Sequence, residues 1–185
     1  MAIEIKSSSN EIDSLFTNSI NRIFTNVDEN FFENIHIVIT DLENIPRLFP
    51  SNAIPNEYHL YSRILANSFG ITQPKNFIGG ERKHLLVINI QNIQSLRLID
   101  SELDAVIAHE LGHILNAPEN GIEDYSNQTE FYADYFAKSL HFKDDLLSSI
   151  EKYLQQDNAT NIDLFQLRIE KLNSEEIYNG IVKAL

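Results

Sequence analysis

The spacing of apolar positions predicts one helix and two strands in the first half of the chain. Apolar residues recur every three to four positions from about Asn10 to Val27, which predicts an amphipathic helix. The alternating, β-branched run Ile35 to Thr40 predicts a strand. The almost continuous apolar run Lys83 to Ile90, preceded by a Gly79-Gly80 turn, predicts a second and buried strand.

The remaining segments are predicted to be loop and helix. Three prolines between Asp41 and Asn56 predict mostly loop, and "EYHLYSRILANSFG" predicts a helix that stops at Gly70. The whole chain from Ser101 onward has helical periodicity. Ser101 is expected to cap the first of these late helices, with Asp104 as its capping carboxylate.

The most informative stretch is "AVIAHELGHILNAP", which lies in the first of the late helices. His109 and His113 are four residues apart, so they share a helix face at a separation that one zinc ion bridges. Burying these histidines and Glu110 beside an apolar stripe would cost several kcal/mol without partners. The motif therefore predicts a zinc site in which Glu110 is the catalytic base.

A third protein ligand is needed, because catalytic zinc sites have three protein ligands and a water. Glu130 and Asp134 are four residues apart at the start of another predicted helix, beside the small residues Ala133 and Ala137. We predict that Glu130 is the third ligand. Asp134 is predicted to accept a hydrogen bond from the ring nitrogen of His109 that does not face the metal.

Two alternatives concern this third ligand. Asn127 and Glu130 also have the spacing of a capping box, which would give Glu130 a purely structural role. His141 would be a third histidine ligand, but its spacing from the motif is not the one typical of three-histidine zinc peptidases.

Composition narrows the classes of function. The 185 residues suit one domain, residues 1–185, in which a small early sheet and a mostly helical C-terminal half make an α+β fold. The net charge of −13 argues against nucleic acid and anionic membranes as partners. Without cysteine, His and carboxylates are the strong metal ligands. No apolar run is long enough to span a membrane, and "MAIEIKSSSNEIDS" does not look like a secretory signal, so a cytoplasmic location is expected.

Several segments together resemble a known family. "SELDAVIAHELGHILN" resembles the active-site helix of the HtpX-like and CAAX prenyl protease group of gluzincin peptidases, and "QTEFYADYFA" is similar to the third-ligand segment of that group. "NFIGGERKHLLVINIQNIQSL" resembles the turn and strand beside the group's substrate cleft, and "LRIEKL" resembles its Arg-Ile segment. The His-Pro pair that usually precedes the Arg-Ile segment is missing. The short His-to-Glu spacing is also similar to ImmA/IrrE-type intracellular peptidases, which cleave repressors.

The residues and the resemblance imply a soluble, zincin-like metallopeptidase acting on a peptide or protein. Zinc on the two histidines and Glu130 would activate a water molecule, and the Lys83 to Ile90 strand would align the peptide by strand addition. The oxyanion donor is left open among four residues: His84, Tyr125, Tyr132 and Arg168. The alternatives are an ImmA/IrrE-type regulatory peptidase, an inactive zinc-stabilised interaction module, and a helical binding protein without metal.

Overall fold

The computed structural model describes residues 2–27, 32, 35–48, 70–78, 81–116 and 127–174, and for residues 71–78, 81–83 and 116 it describes the backbone alone. The strands are β1 (Ala2–Lys6), β2 (His36–Asp41), β3 (Gly70–Ile78) and β4 (Glu81–Ile88). The helices are α1 (Asn10–Phe24), α2 (Ile45–Leu48), α3 (Ile90–Leu96), α4 (Asp100–Asn116), α5 (Asn127–Ser139), α6 (Lys143–Leu154) and α7 (Ile162–Asn173). This order confirms the predicted α+β class, with strands early and helices late.

The described strands form one sheet in the order β1-β2-β4-β3. β1, β2 and β4 are parallel, whereas β3 is antiparallel to β4 and lies at the edge. The predicted first helix and both predicted strands are present, with ends that differ from the prediction by up to three residues. None of the helices in the described part of the chain is both long enough and apolar enough to cross a bilayer.

Apolar residues cover both faces of the sheet. On one face, alternate residues of β2 and β4 pack with α1 and α4 in the main core: Phe16, Ile20, Ile23, Ile37, Ile39, Leu86, Ile88, Ile107 and Leu111. On the other face, Val38, Leu85 and Val87 pack against Ile45 and Leu48 of α2. Burial on both faces explains why β4 reads as a continuous apolar run instead of an alternating one.

Some local expectations differ from the structure, and others lie outside the described residues. The segment predicted as loop from Asp41 contains a 3-10 turn at Leu42–Asn44 and the short helix α2, and the rest of it lies outside the described residues. The helix predicted over residues 57–69 also lies outside them. Gly70, predicted as the stop of that helix, is the first residue of β3.

The helix that carries the zinc motif begins differently from the prediction. Asp100 is the first helical residue, and the Glu102 carboxylate accepts a hydrogen bond from the backbone N–H of Ile99, at 2.8 Å. Ser101 does not cap the helix; its hydroxyl donates to Asp145 of α6. Asp104 accepts two hydrogen bonds from the guanidinium of Arg22, at 2.6 and 2.8 Å, instead of capping. Contacts to α1 and α6 therefore hold the start of α4.

Glu102 links α4 to α6 by a buried ion pair. Its carboxylate accepts hydrogen bonds from Lys152 and Ser148. Burial raises the pKa of Glu102, but the hydrogen bonds from Lys152, Ser148 and the Ile99 N–H together with the Lys152 charge outweigh burial and lower the pKa below its usual 4.5. A carboxyl group whose pKa is lowered in the folded state stabilises the fold at pH values above its pKa in the unfolded state. This stability is lost as the pH falls through the lowered pKa of the folded state.

Glu102→Gln is therefore expected to lower the free energy of unfolding by about 1–3 kcal/mol near neutral pH. The difference from wild type should shrink as the pH falls below the unfolded pKa of 4.5, and it should be smallest below the lowered pKa of the folded state, where the wild-type carboxyl is also protonated. Urea unfolding across this pH range measures both values. Glu151→Gln, a change at an exposed carboxylate on the same α6, is the control. A difference for Glu102→Gln that does not change with pH would contradict the ion-pair interpretation.

The backbones of α4 and α5 approach each other closely where the two helices pack together. A Cβ added to Gly112 would lie 2.8 Å from the Cα of Ala133, 3.0 Å from the Cβ of Phe136 and 3.1 Å from the Ala133 carbonyl oxygen. Ala133 and Ala137 are fully buried at this crossing. Small residues on both helices thus bring the two histidines of α4 close to the carboxylates of α5.

Gly112→Ala is expected to destabilise the protein by about 1–3 kcal/mol, because overpacking against backbone atoms outweighs the better helix propensity of Ala. It should also weaken metal binding, because α5 must move away from α4 and take Glu130 with it. Urea unfolding and a metal-competition titration measure the two effects. An increase in stability, as at an unhindered helix position, would mean that the crossing is looser than described.

Candidate metal centre

The helix α4 presents the two motif histidines on one buried face. His109 and His113 are 6% and 7% exposed, and their Nε2 atoms are 3.2 Å apart. The two rings stand nearly perpendicular, at 87°. The apolar residues Leu103, Ile107, Leu111 and Ile114 are buried, as the helical spacing predicted. Packing of this stripe fixes the rotation of the helix and therefore the direction in which both rings point.

The helix α5 brings Glu130 to the two histidines. One carboxylate oxygen of Glu130 lies 3.5 Å from Nε2 of His109, and the other lies 3.5 Å from Nε2 of His113. Asn127 is the first residue of α5 and Glu130 turns towards the histidines, so these contacts favour the ligand interpretation of Glu130 over the capping box. The exposed His141 lies in the turn after α5.

Asp134 lies where the sequence predicted it. Its carboxylate is 2.8 Å from Nδ1 of His109 and is 1% exposed. This contact holds the hydrogen on Nδ1 and leaves the Nε2 lone pair for a metal. Burial and the Arg168 charge lower the pKa of His109, but the hydrogen bond and charge of Asp134, with Glu130, outweigh them and raise it to about 9. The Asp134 carboxylate therefore favours the protonated imidazole, and a bound metal would replace the proton on Nε2.

Arg168 from α7 completes the cluster. Its Nε and Nη2 donate to the two oxygens of Asp134, at 2.9 and 2.6 Å, and its Nη1 is 3.1 Å from Glu130. Burial raises the pKa of both carboxylates, but Arg168 and His109 lower it by more, so both stay ionised. Burial lowers the pKa of Arg168, and the charges of Asp134 and Glu130 outweigh this and raise it. The guanidinium therefore balances two buried negative charges.

The role of Arg168 in orienting the carboxylates was not predicted from the sequence, although a signal was present. One helix face carries residues at positions i, i+3, i+4 and i+7, which is the spacing of an apolar face: Phe165, Arg168, Ile169 and Leu172. A charged residue in such a stripe is buried and needs partners. Arg168 is indeed 6% exposed and has two carboxylate partners.

Three side chains from α4 and α5 lie close enough together to hold one metal ion. Among the described residues, His109, His113 and Glu130 form a group able to hold a metal, with ligand atoms within 4.8 Å of one another. Nε2 of His109 and Nε2 of His113 are 3.2 Å apart, and each lies 3.5 Å from a different oxygen of Glu130. Two histidine nitrogens and a carboxylate oxygen are donors that zinc takes in proteins.

Glu110 lies beside the first residue of β3. A Cβ added to Gly70 would be 3.1 Å from the Glu110 carboxyl carbon and 3.1 Å from the Val87 carbonyl oxygen. Gly70 pairs with Ile88 and so shares the face of the sheet that packs on α4. This close approach favours a glycine here, because a larger side chain would push against Glu110 and the Val87 carbonyl oxygen.

The predicted role of Lys83 to Ile90 in strand addition is wrong. The strand β4 is hydrogen-bonded to β2 on one side and to β3 on the other, so its backbone is not available to a peptide. It also ends at Ile88, and Ile90 begins α3. The antiparallel strand β3, at the edge of the described sheet, lies between β4 and any added strand.

The four residues considered as oxyanion donors lie in different places. Tyr125 is outside the described residues. Ile88 pairs with Gly70, which lies against Glu110. His84 is four residues from Ile88, so it lies about 13 Å along the strand from this pair. Tyr132 is two residues from Glu130, a spacing that puts the two side chains on different helix faces. Of the described three, Arg168 alone contacts the proposed ligands.

Asp134→Asn is expected to weaken zinc binding about 10- to 100-fold, because the amide loses the charge that orients and polarises His109. Competition with a chromophoric chelator measures this change, and circular dichroism checks the fold. Glu151→Gln on α6 removes an exposed carboxylate and should bind zinc like the wild type. Equal affinity in Asp134→Asn and the wild type would contradict this role of Asp134.

Comparisons of the chain with models of protein families, with curated proteins and with solved structures give no match.

Proposed function

We propose that this protein is a zincin-like, zinc-dependent endopeptidase. The observation that carries the proposal is the grouping of His109, His113 and Glu130, whose ligand atoms lie within 4.8 Å of one another, next to the buried carboxylate of Glu110. The two histidines and Glu130 would hold the ion. The resemblance of the motifs to gluzincin peptidases supports the same assignment.

The chain's own residues supply the other parts of peptide hydrolysis. When bound, zinc supplies a Lewis acid that acidifies water and polarises a carbonyl group. Glu110 accepts a proton from the attacking water and later donates it to the leaving amine. Asp134 holds the His109 ring in the tautomer that binds metal. Arg168 keeps Asp134 and Glu130 ionised and oriented.

The edge strand β3 suits an extended substrate. Its first residue, Gly70, lies against Glu110, and β4 is its partner within the described sheet. A peptide added along β3 would be held mainly by backbone hydrogen bonds, in the mode that strand addition uses elsewhere. A peptide bound there would lie beside the Glu110 carboxylate, which approaches Gly70.

The test measures metal and hydrolysis in the same preparation. Elemental analysis of wild-type protein purified without added metal is expected to give one zinc per chain. Zinc-loaded protein is expected to cleave a mixed peptide library, to stop when a chelator removes the zinc, and to recover when zinc is returned. Zinc without cleavage would instead favour an inactive zinc-stabilised interaction module, and absence of any bound metal would overturn the proposal.

The ImmA/IrrE-type alternative, a regulatory peptidase that acts on a repressor, involves the same ligands and the same base. It therefore differs from the general peptidase in the substrate alone. Cleavage restricted to one folded partner, with the peptide library left intact by zinc-loaded protein, would favour that regulatory peptidase.

A further inference from the structure

A groove lies between the beginning of α5 and the beginning of α7. It has a volume of about 680 Å³ and is lined by Asn127 of α5 and by Thr160, Asn161, Ile162, Leu164 and Leu167 of α7 and the turn before it. Asp163 is the one charged side chain among its lining residues. The groove is therefore lined by aliphatic side chains together with amide, hydroxyl and carboxylate groups.

The groove lies about one helical turn from two residues of the metal centre. Asn127 precedes Glu130 by three residues on α5, and Leu164 precedes Arg168 by four residues on α7. Each pair therefore shares a helix face, about one turn or 5 Å apart along the axis. Glu130 and Arg168 contact each other at 3.1 Å, so the line of contact between the two helices leads from the proposed zinc ligand into the groove.

The apolar residues of the groove are not needed for the core. On α7, Phe165 and Ile169 pack against the main core, whereas Leu164 and Leu167 line the groove and are only partly buried. Ile162 is 48% exposed, an unusual degree for a large apolar side chain in this protein. Three aliphatic side chains thus face water next to the metal centre.

We propose that this groove binds an apolar side chain of the peptide substrate and sets the cleavage preference; this inference rests on the proposed peptidase function. An extended peptide advances about 3.3 Å per residue, so a groove one helical turn from Glu130 is reached within about three residues of the scissile bond. The aliphatic lining favours Leu, Phe or Met over a charged residue. Asn127 and Asn161 have amide groups suited to the peptide backbone.

The test compares cleavage preferences of zinc-loaded wild type and variants on a peptide library. Wild type is expected to prefer a large apolar residue at one position within three residues of the cut. In the wild type, kcat/KM for the peptide with the large apolar residue should exceed kcat/KM for the same peptide with Ala at this position. Leu164→Ala and Leu167→Ala should each reduce this ratio about tenfold. Leu164→Phe, which narrows the groove, should shift the preference to a smaller apolar residue.

Ile99→Ala is the matched control, because Ile99 is a 60% exposed apolar residue just before α4 and away from the groove. It should keep the wild-type preference. Cleavage with the same preference in the wild type and in all three groove variants would overturn this inference and leave the peptidase proposal standing. Absence of any cleavage by zinc-loaded wild type would overturn both.

Discussion

Glu110→Gln is expected to keep its zinc and to lose peptide hydrolysis, with kcat reduced about 10²- to 10⁴-fold. Glutamine has nearly the same shape but cannot accept a proton, so the step in which water is deprotonated loses its base. Glu110 is 6% exposed and is not among the three residues whose donor atoms fit a metal. Removing its charge should therefore leave the ion in place.

The measurement is kcat/KM on a cleaved peptide, with zinc content determined on the same sample. Glu151→Gln, at an exposed position on α6, is the control and should retain wild-type activity and zinc. Full activity in Glu110→Gln would remove Glu110 from the mechanism. Loss of zinc in Glu110→Gln would indicate that Glu110 is itself a ligand.

The second large effect is expected from the ligands. His113→Ala and Glu130→Ala should each lose stoichiometric zinc, with a loss of affinity greater than the 10- to 100-fold cost of removing a supporting partner such as Asp134. Zinc at 1,000 times its Kd should stabilise wild type by about 4 kcal/mol through preferential binding to the folded state. Neither ligand variant should gain this stabilisation at the same zinc concentration.

Elemental analysis and thermal unfolding with and without zinc measure these outcomes. His141→Ala is a matched control for His113→Ala, because His141 is an exposed histidine in the turn after α5. It should bind zinc like the wild type. Stoichiometric zinc in Glu130→Ala would assign the third ligand to another residue and contradict the site described for α5.

Elements that depend on non-local pairing were missed by the sequence prediction. The strand β1 has only five residues and is held by parallel pairing with β2, more than 30 residues away in the chain. The strand β3 contains Pro74, and its register shifts between Gln73 and Asn76. Read locally, this proline argues against a strand. The sheet accommodates it because proline is tolerated in edge strands and at bulges.

The sequence by itself determined the local part of the site. Helical periodicity put His109 and His113 on one face of α4, and the same spacing of four paired Glu130 with Asp134 on α5. These inferences hold because residues four apart on a helix are neighbours regardless of the rest of the fold.

The tertiary structure decided which of these faces meet. The approach of Gly112 to Ala133 sets the distance between the histidines and the carboxylates, and it depends on two helices separated by a segment outside the described residues. Arg168 joins Asp134 from 34 residues away, and Gly70 meets Glu110 from 40 residues away in the chain. Contacts between residues so distant in sequence follow from packing of the whole core, because local spacing carries no information about them.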